Sequence, residues 1–342
     1  MTGTDGPEPV QAGPKIVVIG GGTGSFTLLT QLKYYARDIT ALVNMADDGG
    51  SSGQLRDEYG VLPAGDVRQC LVALANAPRV RDLFTFRFQD GPLEGHAFGN
   101  LFLTALEKMT GDFREGVKLA SEILVITGSV EPITTNDVTL CMETADGTIT
   151  KSEILIGHAD FGSSRPKLWL EPVATLSPQS RSAILAADMV VIAPGNLYGS
   201  LAPALVVPGL LAALQESTAK KVYVCNLVTK PGQTEGFTVH DYASEIERLT
   251  GGQFLDYVIY NTKRPDDEVL EAYAREGERP VELGEPRFAT SYFVVGAQLV
   301  AGQSNELRGT QPAGGDALAH TRTLIRHDSQ KIARQLMRIY FS

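Results

Sequence analysis

Short apolar runs alternate along this chain with longer stretches of helical periodicity. The runs lie at 16–19, 39–43, 123–126, 189–193, 222–225, 257–260 and 292–295, and each is nearly continuous in apolar residues. Runs without a polar alternate predict strands buried on both faces. Amphipathic stretches at 26–36, 67–76, 98–109, 113–122, 179–187, 240–249, 267–276 and 329–340 predict helices. The alternation predicts an α/β fold: a doubly wound, mostly parallel, Rossmann-like sheet.

The pattern changes between about 127 and 172, where Val138–Glu143, the turn Ala145-Asp146-Gly147 and Thr148–Thr150 read as a hairpin. A small antiparallel β insert is expected there. Residues 1–14 read as a disordered tail, leaving 15–342 as a single domain, and 302–320, rich in Gly, Gln and Asn, as a flexible loop. No internal repeat is evident.

Composition narrows the class. The chain has 342 residues, 43% of them hydrophobic, which is ordinary for a globular protein with a sizeable core. A formal net charge of −10 disfavours nonspecific binding to nucleic acid or to an anionic membrane. Cys70, Cys141 and Cys225 are widely spaced, forming neither a disulfide framework nor a metal motif. The N-terminus has no basic-then-apolar signal segment, and the apolar stretch Leu201–Leu214 is broken by Pro203, Pro208 and Gly209. The expectation is a cytoplasmic protein.

The chemistry gathers where strands end. The first run meets Gly20-Gly21-Gly22-Thr23-Gly24-Ser25, a glycine turn between strand and helix whose bare amides suit a phosphate. The spacing is not G-x-G-x-x-G, and no Gly-Lys-Ser/Thr follows, so a P-loop is excluded. The bland alternative is a tight turn without a ligand. The second run meets Asn44-Met45-Ala46-Asp47-Asp48-Gly49-Gly50-Ser51-Ser52-Gly53. There Asp47 or Asp48 could take a ribose hydroxyl, the pair could hold Mg²⁺ beside a pyrophosphate, and the glycine–serine stretch offers a second nest for anions. An ordinary acidic turn is the alternative. Asp66 is placed as a helix N-cap or a functional carboxylate, and Arg68 follows in the first turn, where a cation opposes the helix dipole. Asn196, Asn226 and Asn261 follow later runs, so with Asn44 several amides collect at one edge and favour a sugar-like ligand portion. His96 reads as structural, and no hydrolytic triad or histidine metal spacing appears.

Taken together and in order, Gly20–Gly24, Asn44–Gly53, Pro63–Arg68, His96–Asn100, Ala193–Ser200, Asn226–Glu235 and Arg326-His327-Asp328 resemble the gluconeogenesis factor (YvcK-like) family, related to the 2-phospho-L-lactate transferases (CofD-like). The resemblance covers about 15–300 plus the C-terminal helix. It implies a Rossmann-like, usually oligomeric protein that binds UDP-sugars such as UDP-N-acetylglucosamine or UDP-glucose. It also implies a role in carbon-source use, cell shape and wall synthesis, and brings no established reaction. It implies nucleotide-pocket roles for Tyr273, stacking on uracil, and Arg326, gripping phosphate. In the related transferases the acid at the place of Asp66 contacts the acceptor near a divalent metal, whereas Arg68 stands where those enzymes usually have a small residue or Thr. Lys230-Pro231-Gly232-Gln233 also departs from the commoner family text.

The leading expectation is therefore a nucleotide-sugar-binding regulatory protein, more in keeping with a sensor than an enzyme. It would be a homodimer acting on a protein partner in wall synthesis, with no nucleic acid and no membrane insertion. Its binding residues are Gly21, Gly22, Thr23, Gly24, Ser25, Asn44, Asp47, Asp48, Gly50, Ser51, Ser52, Asp66, Arg68, Asn196, Leu197, Asn226, Gln233, Tyr273 and Arg326. The rival is a phospho-acyl transferase with Asp47, Asp48 and Asp66 holding Mg²⁺ and placing an acceptor. A nicotinamide oxidoreductase is weaker, lacking the glycine fingerprint and an evident proton donor.

Overall fold

The computed structural model describes residues 13–162, 164–286, 289–301 and 325–342. The chain begins β1 (Lys15–Ile19), α1 (Gly22–Leu32), β2 (Asp38–Val43), α2 (Gly50–Tyr59), α3 (Gly65–Leu74), α4 (Pro78–Thr85), α5 (Phe98–Thr110), α6 (Phe113–Leu124) and β3 (Ser129–Pro132). It continues through β4 (Thr139–Glu143), β5 (Ile149–Lys151), α7 (Glu153–His158), β6 (Lys167–Glu171), α8 (Pro178–Ala186) and β7 (Met189–Ile192). The remainder is α9 (Ala202–Leu205), α10 (Leu210–Glu216), β8 (Lys220–Val224), α11 (Val239–Thr250), β9 (Tyr257–Asn261), α12 (Asp267–Arg275), β10 (Phe293–Ala297) and α13 (Ser329–Phe341).

Seven strands form one sheet in the order β10-β9-β8-β7-β1-β2-β3, and every pairing in it is parallel. Successive side chains of a strand face opposite ways, so β1 feeds two cores. Val17 and Ile19 pack with Leu42, Val190 and Ile192 on one face, beneath α9 to α11 and the small sheet. Ile16 and Val18 pack with Ile39, Ala41 and Val43 on the other, beneath α1, α3, α5, α6 and α13. The second sheet has the order β5-β4-β6 and is antiparallel, with Cys141 opposite both Lys151 and Trp169.

One local expectation is corrected. The apolar run 123–126 is not a strand: α6 continues to Leu124, Val125 turns left-handed at φ 49°, and the strand is β3 at Ser129–Pro132. Leu124 is buried as the last residue of the helix's inner face, so the run is apolar for a helical reason. Gly128 makes the turn into β3 at φ 88°, where a Cβ would stand 2.1 Å from the Ile39 carbonyl oxygen. The nest expected at Gly50–Gly53 is the first turn of α2. The expected tail falls mostly outside the described residues, but Pro14 at its end is packed and accepts a 2.9 Å bond from Arg37 N. The loop expected at 302–320 lies outside the described residues.

Among the described residues no single helix is long and apolar enough to cross a membrane. The interrupted run Leu201–Leu214 takes in the end of a π-helical turn, α9 and most of α10, and its Leu201, Leu205, Leu210 and Leu214 are buried in the core.

Candidate functional site

Strand order determines where the loops meet. From β1 the chain winds outward to β2 and β3, then returns to β7 on β1's other side and winds outward to β10. The direction reverses between β1 and β7, and such a switch point opens a crevice at the carboxyl ends of the strands. The glycine turn after β1 and the Ala193-Pro194-Gly195-Asn196 turn after β7 flank it. They touch: a Cβ on Gly24 would stand 1.6 Å from the Pro194 carbonyl oxygen. Ser25 Oγ is buried beside Gly20 without a hydrogen-bond partner, and Thr23 is exposed.

Four helices begin at this rim, α1, α2, α3 and α5, and in none does the residue just before the helix cap it with its own side chain. Asp112, Ser177, Thr238 and Asp328 cap α6, α8, α11 and α13 in the ordinary way, while α4, α9 and α10 also start without a side-chain cap, so it is the meeting of the four starts that distinguishes the rim. The four uncapped starts are tied to one another instead. Gly22 N donates to Asp66 Oδ1 at 2.8 Å, joining α1 to α3. Arg68 Nε donates to Asn100 Oδ1 at 2.9 Å, joining α3 to α5. Ser51 Oγ lies 3.1 Å from His96 Nδ1, and Asn100 Nδ2 lies 3.5 Å from Ser52 Oγ, joining α2 to the α5 entry. Each start carries about half a positive charge, so their convergence favours an anion.

Carboxylates gather beside them. Asp47 Oδ1 accepts from Gly49 N at 3.0 Å, and Asp47 also bonds Ser52. Burial raises its pKa, with the Asp48 charge acting in the same direction. Burial and then Asp47 push Asp66 up to about 7, against the opposing pull of the Gly22 amide and Arg68. Glu153, at the start of α7, is pushed up to about 8 by burial and by Asp47, Asp66 and Asp48. No sequence signal picked out Glu153, because it follows a hairpin rather than a strand of the main sheet. Its neighbour Ser152 is held at φ 127°, a strained value for a side-chain-bearing residue.

Asp48 is differently employed: its two oxygens accept from Glu153 N at 3.1 Å and Ile154 N at 3.0 Å, closing the start of α7. The Mg²⁺ set Asp47, Asp48 and Asp66 therefore does not converge on one point. Among the described residues no three His, Cys, Asp or Glu side chains form a group able to hold a metal ion.

The far end of α7 is held by the amide residues. Gln233 Nε2 reaches the carbonyls of Ile156, Gly157 and Ala159 at 2.9, 3.1 and 2.8 Å, while its buried Oε1 has no partner. Lys230 Nζ and Asn196 Nδ2 also donate to the Gly157 carbonyl. Asn196 Oδ1 accepts from Gly199 N at 3.3 Å, opening the π-helical turn Leu197–Leu201. Asn226 clasps Gly195, donating to its carbonyl at 2.7 Å. Asn44 is buried and accepts from Ala46 N at 2.8 Å. Asn196, Asn226 and Gln233 thus brace the loops after β7 and β8, and Leu197 is buried beneath them.

Tyr273 and Arg326 form a separate group beyond β8. Tyr273 is 2% exposed, in a small cluster with Leu227, Val269, Val300 and Ile325, and its hydroxyl accepts from Ile325 N at 3.0 Å. Arg326 follows, its side chain exposed and its carbonyl accepting from Ala301 N at 2.9 Å. His327 anchors this segment through Nε2, 3.1 Å from the Cys225 carbonyl, and burial pushes its pKa down to about 4.

Comparison with known proteins accords with this geometry. The family described as 2-phospho-L-lactate transferase CofD matches residues 16–299. The gluconeogenesis factor of Bacillus subtilis is 37% identical over 329 residues, covering 95% of this chain and 97% of that protein. The gluconeogenesis factor of Halalkalibacterium halodurans is 40% identical over 290 residues, covering 82% of this chain and 89% of that protein. A crystal structure of a UPF0052 family protein from Bacillus halodurans superposes with a TM-score of 0.83 at 35% identity, covering 95% of this chain and 99% of that one. This chain belongs to the CofD family, together with the gluconeogenesis factors.

Proposed function

We propose that this protein binds a nucleotide sugar of the UDP-N-acetylglucosamine or UDP-glucose class at the carboxyl rim of its sheet and acts as a regulator. The observation that carries the reading is the meeting of four uncapped helix starts at the switch point between β1 and β7. The diphosphate rests on the first turns of α1 and α2, against Gly21–Ser25 and Gly50–Ser52. The sugar lies toward Asn196, Leu197, Asn226 and Gln233, with Asp47, Asp48, Asp66 and Arg68 bordering it and Asn44 beneath. The base end lies toward the exposed Arg326; Tyr273, buried and bonded through its hydroxyl to Ile325 N, supports that segment from within rather than stacking on the base. Burial raises the pKa of Asp47, Asp66 and Glu153, and a carboxyl that keeps its proton both donates and accepts, which suits a neutral hydroxylated ligand portion.

In this reading the cytoplasmic homodimer couples gluconeogenic growth to cell shape through a protein partner in wall synthesis. The names of the gluconeogenesis factors support the metabolic half. Calorimetry with UDP-N-acetylglucosamine tests it: saturable binding, insensitive to EDTA and without turnover, is expected.

The match to a transferase family favours a second reading. In it Asp47, Asp48 and Asp66 would border an acceptor hydroxyl that attacks the outer phosphorus of a nucleotide-activated lactate, breaking the diphosphate bond and releasing the nucleoside monophosphate; Mg²⁺ would neutralise phosphate charge and would have to enter with the donor, since these carboxylates form no metal group of their own among the described residues. Metal-dependent consumption of a nucleotide-activated lactate would establish that reading and overturn the sensor.

A further inference from the structure

The sugar end of the rim rests on an irregular piece of chain. After β7 the backbone makes one π-helical turn, Leu197–Leu201, in which Leu201 N reaches back five residues to Asn196 O at 3.0 Å. Such turns are rare, occur mostly singly and concentrate at functional sites. This one sets two groups together at the crevice, the Asn196 amide and the bare backbone of Gly199. A Cβ on Gly199 would stand 3.0 Å from Glu153 Oε1 and 3.2 Å from Asn196 Nδ2.

Tyr198, within the turn, is buried in the core. Its hydroxyl donates to Glu245 Oε1 at 2.9 Å, and a phenol hidden from water needs such an acceptor. Its ring meets Phe161 edge-on at 4.9 Å between centroids, and Phe161 N donates to the Gly232 carbonyl beside Gln233 at 2.9 Å. Glu245, on α11, is buried as well. Arg248 grips it with two N–H groups, Nε to Oε2 at 2.8 Å and Nη2 to Oε1 at 2.6 Å, and Arg165 Nη1 lies 3.3 Å from Oε2. A carboxylate taken from water is tolerated only with pairing of this kind. Both arginines are partly exposed and line a groove of about 540 Å³ beside α11. One line of contacts therefore runs from the surface, through Glu245 and Tyr198, to the turn at the rim.

We propose that Glu245, which lies outside the site, is a positioning residue for the sugar: through Tyr198 it fixes the π-helical turn that sets Asn196 and Gly199 at the crevice. The inference deepens the nucleotide-sugar reading and rests on it. Arg165 and Arg248 hold Glu245 in place from a surface that the rim ligand does not touch.

Calorimetry on the full chain, comparing UDP-N-acetylglucosamine with UDP, tests the role, because UDP lacks the sugar. Tyr198→Phe deletes one hydroxyl; it should weaken the nucleotide sugar by roughly tenfold and leave UDP unchanged. Glu245→Gln keeps an acceptor for Tyr198 but loses the charge that gathers the arginines, and should act in the same direction. Arg248→Met should do so from the surface, and Arg248→Lys should recover part of the loss. If Glu245→Gln fails to fold, Tyr198→Phe and the two Arg248 variants decide. A network serving stability alone would lower the melting temperature and either leave both affinities as in wild type or weaken both equally; either result overturns the positioning role. If wild type binds no nucleotide sugar, the proposed function fails and this inference with it. Wild-type binding that Tyr198→Phe and Arg248→Met leave untouched sinks the inference alone.

Discussion

The backbone N–H of Gly22 donates to Asp66 Oδ1 across 44 residues of sequence, so the acid in the first turn of α3 serves the first turn of α1. The fit leaves no room for a side chain at the preceding residue, since a Cβ on Gly21 would lie 1.9 Å from Asp66 Oδ2. A carboxyl placed this way, buried and beside Asp47, has consequences for stability as well as for ligands.

Asp66 titrates near 7 when folded and near 3.8 when unfolded. Between these values the folded protein holds the proton and the unfolded chain does not, so its contribution to stability is lost as pH rises through that window. Above it the penalty is constant, roughly 2–4 kcal/mol. Asp66→Asn keeps an acceptor for Gly22 and removes the charge. We expect the variant to match wild type at about pH 4 and to resist more urea at about pH 8. Lower stability at the higher pH would contradict the assignment.

His327 carries the opposite sign. Its pKa falls from 6.5 to about 4 on folding, so below 6.5 the unfolded chain takes up a proton that the folded one refuses. Stability is lost on acidification through that window, by roughly 1–3 kcal/mol. His327→Gln retains a donor for the Cys225 carbonyl and should flatten this acid limb in denaturant melts.

Arg326→Ala should weaken UDP-sugar binding by roughly 1–3 kcal/mol if the side chain contacts phosphate. His327→Ala, which frees the same segment from Cys225, should weaken it in the same direction. Unchanged calorimetric affinity in Arg326→Ala would remove that residue from the pocket.

The glycines of the first turn differ in what they do. Gly24→Ala forces a Cβ into the Pro194 backbone at 1.6 Å and should cost about 3 kcal/mol or more, or prevent folding. At Gly22 the nearest atom to a Cβ is 3.8 Å away, and the cost is the φ of 59° alone, about 1 kcal/mol. Thermal melts of the two variants separate contact from conformation.

The short α7 depends on side chains at both ends. Asp48→Ala removes the acceptor for two amides and should cost about 1 kcal/mol. Gln233→Ala should cost roughly 1–3 kcal/mol, and Gln233→Glu more, because a carboxylate would then face three carbonyl oxygens. Limited proteolysis within 153–158 gives the direct readout; equal cleavage in all three variants and wild type would show that the bonds do not hold α7.

Much of the layout was legible in the residues. Continuous apolar runs mark β1, β2, β7, β8 and β9 because a strand covered on both faces tolerates no polar alternate, whereas β10, equally apolar, is an exposed edge strand with Phe293 70% exposed. The run at 123–126 misled because a buried helix end followed by a left-handed residue shows the same short apolar stretch. The glycine turn and Asp47 were visible because bare amides and paired acids are rare beside buried strands. Glu153 was not, since it is an ordinary charged residue until folding carries it to the rim.

Local pattern by itself determined which segments become strands and helices, and which turns lack side chains enough to admit a ligand, because burial and backbone freedom act over a few residues. The order β10-β9-β8-β7-β1-β2-β3 was settled only in three dimensions. That order sets Pro194 against Gly24 and Asp66 against Gly22. Such encounters depend on which strands pair, and pairing is decided by the packing of the whole sheet.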